Sequence, residues 1–169
     1  MESLIDGLLV YSRAGRLEVA EQMTNVAQLV NDIIDSLMPP ATFTITTQLD
    51  LPPIVTKQLL LSQVFSNLLS NAIKHHDRND GRIDIIGVDK GVTYEFSIYD
   101  DGPGIAPKDH ERIFEIFQTL KSRDVTESTG IGLSIVKKII ETESGSIHVE
   151  SELGKGTTFR FTWPVSKKS

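Results

Sequence analysis

The stretch Gln63-Val-Phe-Ser-Asn-Leu-Leu-Ser-Asn-Ala-Ile-Lys-His75 carries two superimposed helical periods. Val64, Phe65, Leu68, Leu69, Ala72 and Ile73 recur at spacings of three and four, which predicts an apolar stripe turned toward a core. Asn67, Asn71 and Lys74 follow the same rule at i, i+4 and i+7, so two amides and one ammonium share a helical face. Amide oxygens suit a hard divalent cation, and a lysine suits phosphate as a point charge. A solvated face of an amphipathic helix fits the same three residues. The helix is expected from about Thr56 to His76, and the rest of the chain must decide between these readings.

Upstream, Val26, Leu29, Val30, Ile33, Ile34 and Leu37 form the apolar face of another helix, with Asn25 as N-cap and Gln28 completing a capping-box pattern. Pro39-Pro40 ends it. Phe43, Ile45, Thr47 and Leu49 alternate with polar neighbours, the pattern of a strand with one buried face, and Pro52-Pro53 breaks it. Met1, Leu4, Leu8 and Tyr11 make an apolar stripe over Met1 to Arg13, too short for a stable isolated coil, so it packs on its own domain or on a partner. Ala14 to Met23 reads as a polar connection.

Downstream, Asp77 to Gly81 has turn chemistry, and Arg82 to Val88 and Val92 to Asp100 read as the arms of a hairpin around Gly91. Val92, Tyr94, Phe96 and Ile98 share one strand face, and Asp100 falls in phase with them. A carboxylate on a buried face is costly without donors, so Asp100 either escapes to water at the strand end or waits for a ligand N–H. Asp101-Gly102-Pro103-Gly104 follows as a tight turn. Lys108 to Phe117 is expected as a short helical stretch docked by Phe114 and Phe117, and Gln118 to Thr129 as a loop. Gly130-Ile131-Gly132 opens a third helix, Leu133 to Thr142, with a core stripe of Ile135, Val136, Ile139 and Ile140. Glycines at a helix N-terminus expose free N–H groups suited to phosphate, or form only a tight turn. Ile147, Val149 and Ser151 alternate in a strand, Gly154-Lys155-Gly156 turns, and Phe159, Phe161 and Trp163 point inward from the last strand. The sum is an α/β (α+β) two-layer sandwich: a mixed, mostly antiparallel sheet with three helices on one face.

The composition sets limits. A chain of 169 residues with 39% hydrophobic and 24% charged residues is one soluble globular domain with room for an appendage. No apolar run reaches about 18 residues, so no membrane contact is expected. The net charge of −6 argues against nucleic-acid binding. Zero cysteines exclude disulfides and thiolate metal sites and fit a cytoplasmic protein.

The motifs together resemble a known family. Asn67-Leu-Leu-Ser-Asn71-Ala-Ile-Lys74 looks like the N box of sensor histidine kinases, and Asp100-Asp-Gly102-Pro-Gly104-Ile like their G1 box. Arg112-Ile-Phe-Glu-Ile-Phe117 resembles the F box, Ser128-Thr-Gly130-Ile-Gly132-Leu-Ser-Ile-Val-Lys137 the G2 box, and Gly154-Lys-Gly156-Thr-Thr-Phe159 the last glycine motif. The resemblance covers about residues 20 to 165 and implies the Bergerat ATP-binding fold, with ATP and Mg²⁺ as ligands. It implies that Asn71 binds Mg²⁺ through its amide oxygen, that Asn67 supports the phosphates or the metal shell, and that Lys74 meets a phosphate. His75 falls where the family often has an aromatic ring beside the nucleotide; a histidine without a role fits equally. Asp100 would accept the adenine amino hydrogen, and Gly102, Gly104 and Ile105 would form the turn under the base. Gly130, Gly132 and Leu133 would give N–H groups to the phosphates, and Thr158 of the last motif would join the site. The segment from Gly104 to Gly130 would be the ATP lid. Lys121 and Arg123 lie in it, within the segment that would reach the γ-phosphate, and read first as solvated charges. Gln118 stands where the F box often has a basic or aromatic residue, so no lid-arginine role is placed there.

The histidines present are His75, His76, His110 and His148, and none has the neighbours of a phosphoacceptor. The chain is therefore expected to divide into a stub of the second dimerisation helix plus linker over 1–20 and a catalytic ATP-binding domain over 21–169. Its expected partners are the dimerisation and phosphoacceptor domain of the same parent kinase and, downstream, a response regulator. Two alternatives belong to other classes: a Bergerat ATPase driving conformational change, and a binding module that has lost ATP. Such ATPases place a glutamate where this chain has Asn67, and an amide is no general base near neutral pH.

Overall fold

The computed structural model describes residues 20–77, 79–114 and 132–164. The expected N-terminal helix, the lid loop, Phe117, Lys121, Arg123 and Gly130 lie outside the described residues. In chain order the elements are β1 (Gln22–Thr24), α1 (Val26–Leu37), β2 (Thr44–Gln48), β3 (Ile54–Thr56), α2 (Gln58–Lys74), β4 (Arg82–Asp89) and β5 (Thr93–Asp100). Two 3₁₀ turns follow, Pro107–Asp109 and Arg112–Phe114, then α3 (Gly132–Thr142), β6 (Ile147–Glu152) and β7 (Gly156–Pro164).

The main sheet has five strands in the order β2-β4-β5-β7-β6. Only β2 and β4 pair in parallel; the other three pairs are antiparallel. Strict alternation makes one face of the sheet apolar: Tyr94, Phe96 and Ile98 of β5 and Phe159, Phe161 and Trp163 of β7 are buried, with half-buried residues between them. The three helices cover that face, which is the expected mixed two-layer sandwich.

Phe65 of α2 fixes the central helix over the middle of the sheet. Its ring meets Phe96 edge-on at 5.2 Å and Phe161 at 5.5 Å. α3 lies antiparallel to α2. The first residue of α3, Gly132, sits beside the Asn67 amide, while Lys57, before α2, pairs at 3.1 Å with Glu143, just after α3. Asn25 caps α1 by accepting the Gln28 N–H at 3.0 Å, as its sequence predicts.

Several boundaries differ from expectation. Thr56 belongs not to α2 but to β3, which pairs antiparallel with β1 in a two-stranded ribbon. Neither three-residue strand carries a period, and each exists only through the other. The Trp163 indole N–H ties the ribbon to the sheet by donating to Thr56 Oγ1 at 2.7 Å. Val92, expected on the buried face of β5, is 71% exposed because the hairpin turn takes it out of the strand. β2 is an edge strand in which only Ile45 is half-buried, so Thr47 faces solvent. The expected helix from Lys108 is two 3₁₀ turns as far as Phe114, whose ring meets Phe159 edge-on at 6.1 Å.

Candidate active site

β5 delivers Asp100 to the end of the apolar sheet face. The alternation that buries Ile98 buries Asp100 as well, leaving it 8% exposed. Its Oδ1 accepts the Gly102 N–H at 3.0 Å. Burial pushes its carboxyl up to about 6, opposed by that N–H and by the nearby His76, and reinforced by Asp101 and Asp77. A carboxylate held there with one protein donor has remaining lone pairs to offer.

The turn after Asp100 is built for close approach. A Cβ on Gly102 would lie 2.8 Å from Asp100 Oδ1. Gly104 has φ +80°, and a Cβ there would lie 2.1 Å from the carbonyl oxygen of Glu152 in the β6–β7 hairpin. Ile105 donates its N–H to Ser151 Oγ at 2.7 Å, while its side chain packs on the core.

His76 braces this turn from below. Its side chain is fully buried, stacks edge-on with Phe43 at 5.3 Å and donates from Nε2 to Asp101 Oδ1 at 2.6 Å. The same oxygen accepts the Arg82 N–H at 2.8 Å. Sequence reasoning gave the site role to His75 and no bracing role to His76 or Asp101, because neither lies on a patterned face.

α2 carries the other group of predicted residues. Asn67 and Asn71 are half-buried, Lys74 is exposed, and His75 forms the C-cap, half-buried. Asn67 Nδ2 is buried and has no hydrogen-bond partner among the described residues. Such a donor is costly unless a ligand acceptor meets it. Gly132 opens α3 beside Asn67 Oδ1, at 3.8 Å from the position of a Cβ, so the first turn of α3, with the N–H groups of Gly132 and Leu133, begins next to that amide.

Thr158 lies elsewhere. It pairs with Tyr99, on the face of the sheet away from the helices, whereas Thr157 pairs with Asp100 and is buried beside it. The period was available in the sequence: Phe159, Phe161 and Trp163 point inward, so Thr157 is in phase with them and Thr158 is not.

The family described as histidine kinase-, DNA gyrase B-, and HSP90-like ATPase (HATPase_c) matches residues 56–167, from β3 past β7. The chain belongs to this family. Among the HATPase_c relatives, cyanobacterial phytochrome A of Nostoc sp. (strain PCC 7120) is 40% identical over 167 residues, covering 98% of this chain and 22% of that protein. Sporulation kinase E of Bacillus subtilis (strain 168) is 36% identical over 175 residues, covering the whole chain and 23% of that protein. The chain thus spans less than a quarter of the length of these two curated relatives. Full-length ShkA, solved in complex with AMPPNP, superposes with TM-score 0.83 at 28% identity, over 99% of this chain and 36% of that one. The catalytic domain of histidine kinase ThkA superposes with TM-score 0.71 at 26% identity, over 87% of this chain and 97% of that one. The resemblance drawn from the five motifs, to the catalytic ATP-binding domain of sensor histidine kinases, is the one these comparisons find. So is the fold. Among the described residues no helix is long and apolar enough to cross a membrane.

Proposed function

We propose that this HATPase_c chain binds Mg·ATP between the Asp100 turn and the Asn67–Asn71 face of α2, and donates the γ-phosphate to a histidine on a separate dimerisation domain. The observation that carries this reading is a pair of complementary unmet needs, one at the end of β5 and one on α2. Asp100 is a buried acceptor with lone pairs to spare, and Asn67 Nδ2 is a buried donor with no acceptor among the described residues. A nucleotide supplies the converse of each: an amino group on the base and oxygens on the phosphates.

In this reading Asp100 takes the adenine amino hydrogen, and Thr157 replaces Thr158 as the threonine of the base pocket. Gly102, Gly104 and Ile105 form the floor. Asn67 donates to a phosphate oxygen, and Lys74 neutralises phosphate charge from the rim. Gly132 and Leu133 give backbone N–H groups to the phosphates at the positive end of α3, and Gly130 is read as a further N–H donor. His75 lies beside the nucleotide. In this reading the ion arrives with the triphosphate and Asn71 contributes one amide oxygen to it. When bound, Mg²⁺ would neutralise charge on the transferring phosphoryl group.

The direction of transfer follows from Asn67. An amide does not activate water, so hydrolysis is slow and a supplied nucleophile is favoured. We read residues 1–20 as a stub of a dimerisation helix plus linker and 21–169 as the catalytic unit, with a response regulator as the downstream acceptor. Of this chain's histidines, His76 is fully buried against Asp101, and His110 Nε2 donates to the Ile105 carbonyl. Incubated with γ-labelled ATP and Mg²⁺, the chain stays unlabelled, while a separately supplied dimerisation domain from a similar kinase acquires acid-labile label. Label on a histidine of this chain, or steady hydrolysis without an acceptor, would overturn the reading.

A further inference from the structure

Ser151, Thr157 and Asp100 form one row across three strands on the helix-facing side of the sheet. Ser151 pairs with Thr157 between β6 and β7, and Thr157 with Asp100 between β7 and β5. Beyond Asp100 the row turns apolar, at Ile83 of β4. Three polar side chains on such a face need hydrogen-bond partners.

Ser151 Oγ has three partners: the Ile105 N–H at 2.7 Å, the Gly156 carbonyl at 2.7 Å and Thr157 Oγ1 at 2.9 Å. A hydroxyl carries one hydrogen and two lone pairs. The Ile105 amide only donates and the Gly156 carbonyl only accepts, so the serine hydrogen goes to Gly156. The hydrogen between the two hydroxyls is then Thr157's. Thr157 Oγ1 is left with lone pairs alone for anything else it meets, and its ladder neighbour Asp100 is also an acceptor.

We propose that Ser151 is a positioning residue for base selectivity: by capturing the Thr157 hydrogen it makes the Asp100–Thr157 edge accept only, which fits a 6-aminopurine and disfavours a 6-oxopurine. The inference rests on the reading that the base docks on Asp100. An amino group at purine C6 brings two hydrogens to two acceptors. A carbonyl oxygen there would set its lone pairs against those of Thr157. Without Ser151, the Thr157 hydroxyl is free to rotate and donate. The edge then becomes one acceptor plus one donor, the complement of the N1–H and O6 of hypoxanthine.

Calorimetric titration with ADP and IDP in Mg²⁺ tests this, on the unmodified chain and on Ser151→Ala and Thr157→Val. Ser151→Ala narrows the preference for ADP about tenfold, mainly through tighter IDP binding. Thr157→Val narrows it about fivefold through weaker ADP binding, with no gain for IDP. If Ser151→Ala weakens both nucleotides by the same factor, Ser151 is only a brace and the inference fails. Should thermal denaturation show that Ser151→Ala does not fold, Thr157→Val decides, and an unchanged preference there overturns the proposal. An unmodified chain that binds neither nucleotide overturns the site reading itself, a result distinct from a nucleotide-binding chain with an unmoved preference.

Discussion

Asp100 shows what a binding site costs the residue that makes it. Burial raises its carboxyl to about 6, above the value of an unfolded aspartate, so the folded chain holds the proton more tightly than the unfolded one. The stability from this group is therefore complete below about pH 4 and is lost as pH rises through about 6. At neutral pH the ionised carboxylate costs the ligand-free chain on the order of 2–3 kcal/mol. Asp100→Asn removes that cost. It is expected to raise the stability of the ligand-free chain by about 1–2 kcal/mol at pH 7.5 and to change it little at pH 4. Urea denaturation at the two pH values checks this; an equal shift at both would mean that the carboxylate is not desolvated. The same variant should weaken ADP binding about a hundredfold, because a donor would then face the amino group.

At the scale of the element, α2 does two jobs with one period. Leu61, Val64, Phe65, Leu68 and Leu69 are buried against the sheet and the flanking helices, and they fix the rotation of the helix about its axis. That rotation decides where Asn67 and Asn71 point. Asn67 is the residue through which this coupling is measurable, since its buried Nδ2 meets no acceptor among the described residues. Asn67→Leu should leave ligand-free stability unchanged or raise it by about 1 kcal/mol, while abolishing detectable ADP binding. Denaturation paired with calorimetry reads both effects. A large loss of stability would show that the amide has a partner in the ligand-free chain. The helix and its two polar positions were legible in the sequence because side-chain spacing alone defines a helical face. The unsatisfied state of Asn67 was not, because it depends on α3 arriving from more than sixty residues downstream.

At the scale of the molecule, the two ends of the sheet are specialised. β5 and β7 run antiparallel, so one end carries Asp100 and Thr157 and the other carries Tyr94 and Trp163. The aromatic end is closed by the β1–β3 ribbon through the bond from Trp163 to Thr56. Stability and ligand binding should therefore separate. Thr56→Val is expected to cost about 1–2 kcal/mol by stranding the indole N–H, with ADP affinity unchanged. A parallel loss of affinity in calorimetry would show that the two ends are coupled.

By itself the sequence determined α1, α2 and α3, the alternating strands, the inward aromatic residues and the Asp100 anomaly, because each is a repeat of side-chain chemistry along a short stretch of chain. The ribbon of β1 and β3, the Thr157 position beside Asp100, the Ser151 hydroxyl relay and the His76–Asp101 brace came only from the tertiary structure. Each is a pairing between segments distant in the chain, and the partners carry no mark of one another until the sheet brings them within hydrogen-bonding distance.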